Sequence, residues 1–150
     1  SGKSDLVMKK MEELGLTVKK EGALWFKNPD DPDLEDRESV LRKSDDYGTA
    51  TYFADDIAYH VDKFDRGFDK VINVWGANHS GHVPRLKAAM RALGYKDDQI
   101  EIVLYQYVRL KNAGEIVSMG KRLGNFVTLR EVIESGVEPD AFKYFVDLYA

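Results

Sequence analysis

Cysteine is absent from the 150 residues, which excludes disulfides and thiolate metal sites. No apolar run approaches the roughly 20 residues needed to cross a bilayer. No signal-peptide pattern opens the chain either, so the expected setting is cytoplasmic, without a membrane partner. Excess positive charge is lacking too: the formal net charge is −4. A generic nucleic-acid binder is therefore not expected, although a local basic patch stays open. The sequence holds no internal repeat, no low-complexity tract and no HExxH motif. Histidine is scarce, at three residues, His60, His79 and His82. With Asp56 they offer one conceivable metal site, but their spacing is not a zinc signature, and no metal ligand is assigned.

What is present fits a single globular domain. The 43% hydrophobic content, with 11% aromatics, separates the chain from disordered sequences. Its length allows about two thirds of the extended surface to be buried.

The organising stretch is Val71 to Tyr95, VINVWGANHSGHVPRLKAAMRALGY. Val71 to Trp75 is short and β-branched, and reads as a buried strand. Gly76 to Gly81 interrupts it with glycines and small polar residues. From Val83 the period becomes helical, with Val83, Leu86, Met90 and Leu93 on one face and Gly94 as the stop. Strand, turn and helix make half of a βαβ unit. Ligands of open α/β sheets bind beyond the carboxyl ends of strands, where Asn78, His79 and His82 stand.

Around this centre, Lys3 to Leu14 predicts a helix closed by Gly15. Leu16–Val18 and Ala23–Phe26 predict a hairpin through residues 19–22. Asn28 to Asp33 reads as a solvated acidic loop, with a cation site as the lesser alternative. Ser39–Leu41 and Thr49–Phe53 have strand character, and Asp55–Phe64 predicts a helix with Ile57, Ala58, Val61 and Phe64 inward. Gln99–Val108 predicts a strong strand, and 111–115 a turn between hairpin arms. Thr128, with Glu131 as capping-box partner, predicts a helix through Ser135. Pro139 at N1 starts the last helix. The alternation favours an α/β sheet with added hairpins.

Two loops carry candidate chemistry. His79-Ser80-Gly81-His82 fits the H-x-G-H pattern, the nucleotide signature of class I aminoacyl-tRNA synthetases. Ser118 to Asn125 is a glycine-bearing loop with Lys121-Arg122, whose cations and backbone N–H groups suit a pyrophosphate leaving group. Taken alone, such a loop reads as a solvated turn.

Taken together, three blocks resemble arginyl-tRNA synthetase, in order and at ordinary spacing: SDDYGTATYFADDIAYHVDKF (44–64), the central stretch, and SMGKRLGNFVTL (118–129). Gly22 to Phe26 and Gly136-Val137 extend the likeness over nearly the whole chain. The resemblance reassigns His79 to His82 to the family's W-G-A-D-H-x-G-H block, not to its H-I-G-H signature. It implies the C-terminal half of a class I catalytic domain over 1–150. That is half of a Rossmann-like, HUP-type parallel sheet with flanking helices and hairpins. The H-I-G-H half and the anticodon-binding domain are not expected within it.

The resemblance also implies roles. Tyr52 and Asp56 match the arginine-pocket pair, and a carboxylate suits a planar guanidinium. His79 closes that pocket. Gly76, Ala77 and Asn78 match groups near the ATP ribose, with Asn78 where the family commonly has Asp. His82 lines the nucleotide side or buttresses the turn. Val117, Met119, Gly120 and Lys121 belong to the ATP site, and Lys121 and Arg122 are the catalytic cations. Ser118 and Gly120 depart from the family's K-M-S-K-R loop. ATP with Mg2+, arginine and tRNA(Arg) are the implied partners. The implied function is arginine–tRNA ligation, with the piece alone inactive and prone to self-association. The alternatives are a non-catalytic paralogue that binds arginine or nucleotide, and a metal-binding α/β module using the three histidines.

Overall fold

The computed structural model describes residues 2–28, 31, 39–106, 111–112, 115–116 and 127–148. Two compact units divide at residue 104.

In the first unit, α1 (Gly2–Glu13) is followed by the antiparallel strands β1 (Thr17–Lys20), β2 (Ala23–Phe26) and β3 (Ser39–Arg42), in that spatial order. The β1–β2 hairpin is tighter than predicted: Lys20 pairs with Ala23, leaving only Glu21 and Gly22 between the strands. Both have positive φ, 50° and 77°. Two left-handed residues in a row match the right-handed twist of the flanking strands, and glycine removes half the steric cost.

α2 (Tyr52–Asp65) then leads to β4 (Val71–Gly76), a 3-10 helix (Ala77–His82), α3 (Val83–Ala92), a short 3-10 turn (Asp97–Gln99) and β5 (Ile100–Tyr105). β4 and β5 pair in parallel, with α3 as the crossover, as the change of period predicts. Gly94, at φ 97°, ends α3, and Tyr95 N–H returns to the Met90 carbonyl at 3.0 Å.

Two expectations need correction. Thr49–Phe53 is not a strand: Ala50 makes one isolated bridge to Arg42, and helix starts at Tyr52. The cause is Thr51. Its hydroxyl accepts from Ala54 N–H at 3.3 Å and donates to the Val40 carbonyl at 2.7 Å, so it caps α2 and ties it to β3. The acidic loop is also not wholly solvated. The Asp31 side chain is 4% exposed and takes a two-pronged contact from Arg91, at 2.8 and 3.0 Å. Burial of that carboxylate is sustained by a paired guanidinium of matching geometry.

One core joins the first unit. Met8 and Met11 from α1, Leu24 and Phe26 from β2, Leu41 from β3, Ile57 from α2, Leu86 and Met90 from α3, and Ile100 from β5 are all buried. The predicted inward face of α2 therefore holds, with Val61 and Phe64 partly buried at the margin, and on the α3 face Leu86, Met90 and Leu93 are buried while Val83 is only half-buried.

The second unit contains the hairpin β6 (Lys111–Asn112) and β7 (Glu115–Ile116), then α4 (Leu129–Glu134) and α5 (Pro139–Leu148). The strands reach into the predicted turn, so Lys111 pairs with Ile116. The capping box holds: Thr128 N–H donates to Glu131 Oε2 at 2.6 Å, and Glu131 N–H to Thr128 Oγ1 at 3.2 Å.

Candidate functional site

A cavity of about 610 Å³ lies in the first unit, lined by Tyr52, Asp56, Trp75, Asn78, His79, Gly81, His82 and Arg85. Its position follows from two local events. Thr51 starts α2 so that Tyr52 and Asp56, four residues apart, share the helix face at the cavity. The 3-10 helix carries Asn78, His79 and His82 past the carboxyl end of β4. Gly76 and Ala77 make the backbone passage between strand and 3-10 helix.

Asp56 is the best-held polar group. His82 Nε2 donates to its Oδ2 at 2.9 Å, and His60 Nδ1 lies 3.4 Å from its Oδ1. Burial works against the carboxylate charge, but the hydrogen bonds from His60 and His82 outweigh it, and the pKa falls well below the ordinary 3.8. Each oxygen keeps a further lone pair, and the side chain is 27% exposed. A fixed, anionic, two-oxygen acceptor is what a planar cation needs.

The aromatic wall orients His82. Its ring meets Phe53 edge-on at 5.5 Å and lies 5.4 Å from Trp75. His79 is exposed, 6.3 Å from Trp75 between ring centres. Tyr52 is 94% exposed, so its ring borders the cavity while remaining open to solvent. Arg85 Nε donates to the Gly81 carbonyl at 3.2 Å, which ties α3 to the glycine turn.

Tyr52, Asp56, Asn78, His79 and His82 are thus brought together. His82 stands against Asp56, at the carboxylate end of the cavity. Val117, Met119, Gly120, Lys121 and Arg122 lie outside the described residues. Trp75 and Arg85 also line the cavity but were given no role by the sequence reading, which took Gly81 only as part of the H-x-G-H turn. An aromatic at a strand's carboxyl end and an arginine four residues beyond a glycine were the available signals. Among the described residues no group of three or more His, Asp or Glu is disposed to hold a metal ion. His60 in particular spends its two nitrogens on the Asp56 carbonyl, at 2.8 Å, and on Asn73, at 2.9 Å.

No protein-family model matches the sequence. Individual proteins do. The chain is 54% identical to an arginine–tRNA ligase of Moorella thermoacetica over 135 residues, 90% of this chain and 23% of that one. It is 48% identical to the arginine–tRNA ligase of Vesicomyosocius okutanii over 145 residues, 97% of this chain and 24% of the other. A Campylobacter jejuni protein solved as an arginyl-tRNA synthetase superposes with a TM-score of 0.75 at 35% identity, over 95% of this chain and 30% of its own. Over almost its whole length the chain is similar to a segment of arginyl-tRNA synthetases. It spans about a quarter of the length of the curated synthetases it matches. An arginyl-tRNA synthetase of Plasmodium falciparum shares the fold at a TM-score of 0.58 with 16% identity, over 69% of this chain. The fold is mixed α/β with a parallel strand pair, as expected of a synthetase segment. Among the described residues no helix is long and apolar enough to cross a membrane.

Proposed function

We propose that the cavity is the arginine-binding end of an arginine–tRNA ligase active site, in which residues 1–150 form the C-terminal half of a Rossmann-like class I catalytic domain. The observation that carries this reading is the Asp56 carboxylate. It is kept anionic by two histidines and left with free lone pairs beside Tyr52 and His79. The substrate guanidinium would lie across both carboxylate oxygens, a charge-assisted pair stronger than a neutral hydrogen bond.

In the complete cytoplasmic enzyme, the arginine carboxylate attacks the α-phosphorus of ATP. The P–O bond to pyrophosphate breaks as the mixed anhydride forms, and the arginyl group then passes to tRNA(Arg). No protein nucleophile is required, so the rate comes from alignment and from cations facing the departing charge. Lys121 and Arg122 are assigned that task, with Gly76, Ala77, Asn78, Val117, Met119 and Gly120 approaching the nucleotide. Mg2+ would enter with the ATP, where it would offset the phosphate charge.

The 150-residue chain alone is expected to bind arginine without forming the adenylate, because no H-I-G-H signature occurs in it. Calorimetric titration with arginine, beside arginine-dependent pyrophosphate exchange, tests both halves. Exchange well above a Lys121→Ala control would overturn the claim of incompetence, and no arginine binding would overturn the pocket. A non-catalytic arginine-binding paralogue separates from this reading in a longer chain that supplies the H-I-G-H half, where only the ligase gains exchange.

A further inference from the structure

Behind Asp56 a line of polar groups runs away from the cavity. His60 stands one helical turn beyond Asp56 on α2 and is 1% exposed. Its Nδ1 lies 2.8 Å from the Asp56 backbone carbonyl, and its Nε2 lies 2.9 Å from Asn73 Nδ2. Asn73 is 8% exposed on β4, between the hydrophobic residues Ile72 and Val74, and its Oδ1 lies 3.4 Å from Lys63 Nζ. Tyr59 meets the His60 ring edge-on at 6.2 Å, and His82 reaches His60 only through Asp56.

These partners dictate where the protons are. A backbone carbonyl only accepts, as does the Asp56 carboxylate oxygen 3.4 Å away, so His60 Nδ1 carries a hydrogen that faces both. An ammonium only donates, so Asn73 presents its oxygen to Lys63 and its amide hydrogens to His60. His60 Nε2 must then accept, and the imidazole is neutral. Protonating it would set N–H against NH2. Rotating the amide to relieve that clash would set NH2 against the Lys63 ammonium.

We infer that His60, held neutral by Asn73 and Lys63, is a positioning residue that fixes Asp56 toward the cavity without cancelling its charge. The polar line thereby sets the preference of the site for a guanidinium over a neutral isostere. A cationic His60 would form an ion pair with Asp56 and leave no net charge for the ligand. The preference rests on the arginine-pocket reading; the proton arrangement stands without it.

The test uses the 150-residue chain. Long-range 1H–15N spectra of the imidazoles, assigned with His60→Asn, are expected to show His60 as the Nδ1–H tautomer at neutral pH. Asn73→Asp, which replaces the amide donor by a carboxylate acceptor, is expected to convert His60 to imidazolium. Affinities for arginine and citrulline are read alongside. The wild type should favour arginine by about tenfold or more, the scale of one charge-assisted hydrogen bond. Asn73→Asp should collapse that ratio. His60→Asn, which keeps a donor at the Nδ1 position, should preserve it, whereas His60→Leu should not. A merely structural role would lower thermal stability in these variants and leave the ratio unchanged. An imidazolium or Nε2–H tautomer in the wild type overturns the inference, as does an unchanged ratio in Asn73→Asp. Failure to bind arginine with the Nδ1–H tautomer present overturns the pocket and the preference together, and leaves the proton arrangement standing.

Discussion

At the scale of single residues, the site depends on how one carboxylate is kept charged. Asp56→Asn keeps the shape and removes the charge, so the arginine affinity of the chain should fall by roughly 10- to 100-fold, measured by titration calorimetry. Its effect on stability has a definite sign. A carboxylate whose native pKa lies below its unfolded value contributes stability that is complete above the unfolded value and is lost as pH falls toward the native one. For Asp56 the native value is the lower one. Urea midpoints should therefore decline below about pH 4 in the wild type, and the stability lost over that range should be smaller in Asp56→Asn by on the order of 1–2 kcal/mol. A difference that grows as pH rises past neutrality would contradict this assignment. Asn78, His79 and His82 were legible from their place beyond the carboxyl end of a strand, whereas Tyr52 and Asp56 were legible only through the resemblance to arginyl-tRNA synthetases; all five line one cavity. Asn73 was not legible. An asparagine in an apolar strand looks like an isolated exception until its partner His60 on another element is known, 13 residues away. Asp31 and Arg91 stand 60 residues apart, and no local pattern announces their pairing.

At the scale of elements, the start of α2 matters most, because one residue of displacement would rotate Tyr52 and Asp56 by about 100° around the helix axis. Threonine and aromatic residues at 49–53 have strand propensity, yet helix wins from Tyr52 onward. Propensity is a weak force beside a capping hydroxyl that also bonds the neighbouring strand. Thr51→Ala removes the cap and leaves the Val40 carbonyl short of a donor, and should cost about 1–2 kcal/mol. Thr51→Ser should recover most of this, since the hydroxyl is retained. Denaturant unfolding of both variants checks the order; equal loss in the two would mean that the methyl group, not the hydroxyl, carries the effect. The βαβ half-unit was readable because its signal is a change of period within one short stretch. The strand boundaries near the hairpins were not, since turn geometry there is decided by two residues, Glu21 and Gly22 in the first case.

For the molecule as a whole, the parallel pair β4–β5 poses a physical problem. Parallel sheets are ordinarily covered on both faces. Here the core covers one face, through Val71 and Ile100, while Ile72, Val74 and Val103 on these strands are 60%, 65% and 43% exposed. Exposed β-branched residues beside strand edges favour association with another copy. The chain should therefore self-associate as concentration rises, with sedimentation equilibrium giving a mass above that of one copy. Ile72→Lys with Val74→Lys should return it to a monomer, because two ammonium groups on one strand face cannot be desolvated against each other. A wild type that stays monomeric at high concentration would show that this face needs no cover. The same double substitution should act with the opposite sign in a synthetase of the relatives' full length, where the additional chain would supply sheet and helix to this surface. There it would place charges inside a packed layer and lower stability. A change that makes the short chain better behaved and the long one worse would therefore mark this face as one that the additional chain covers.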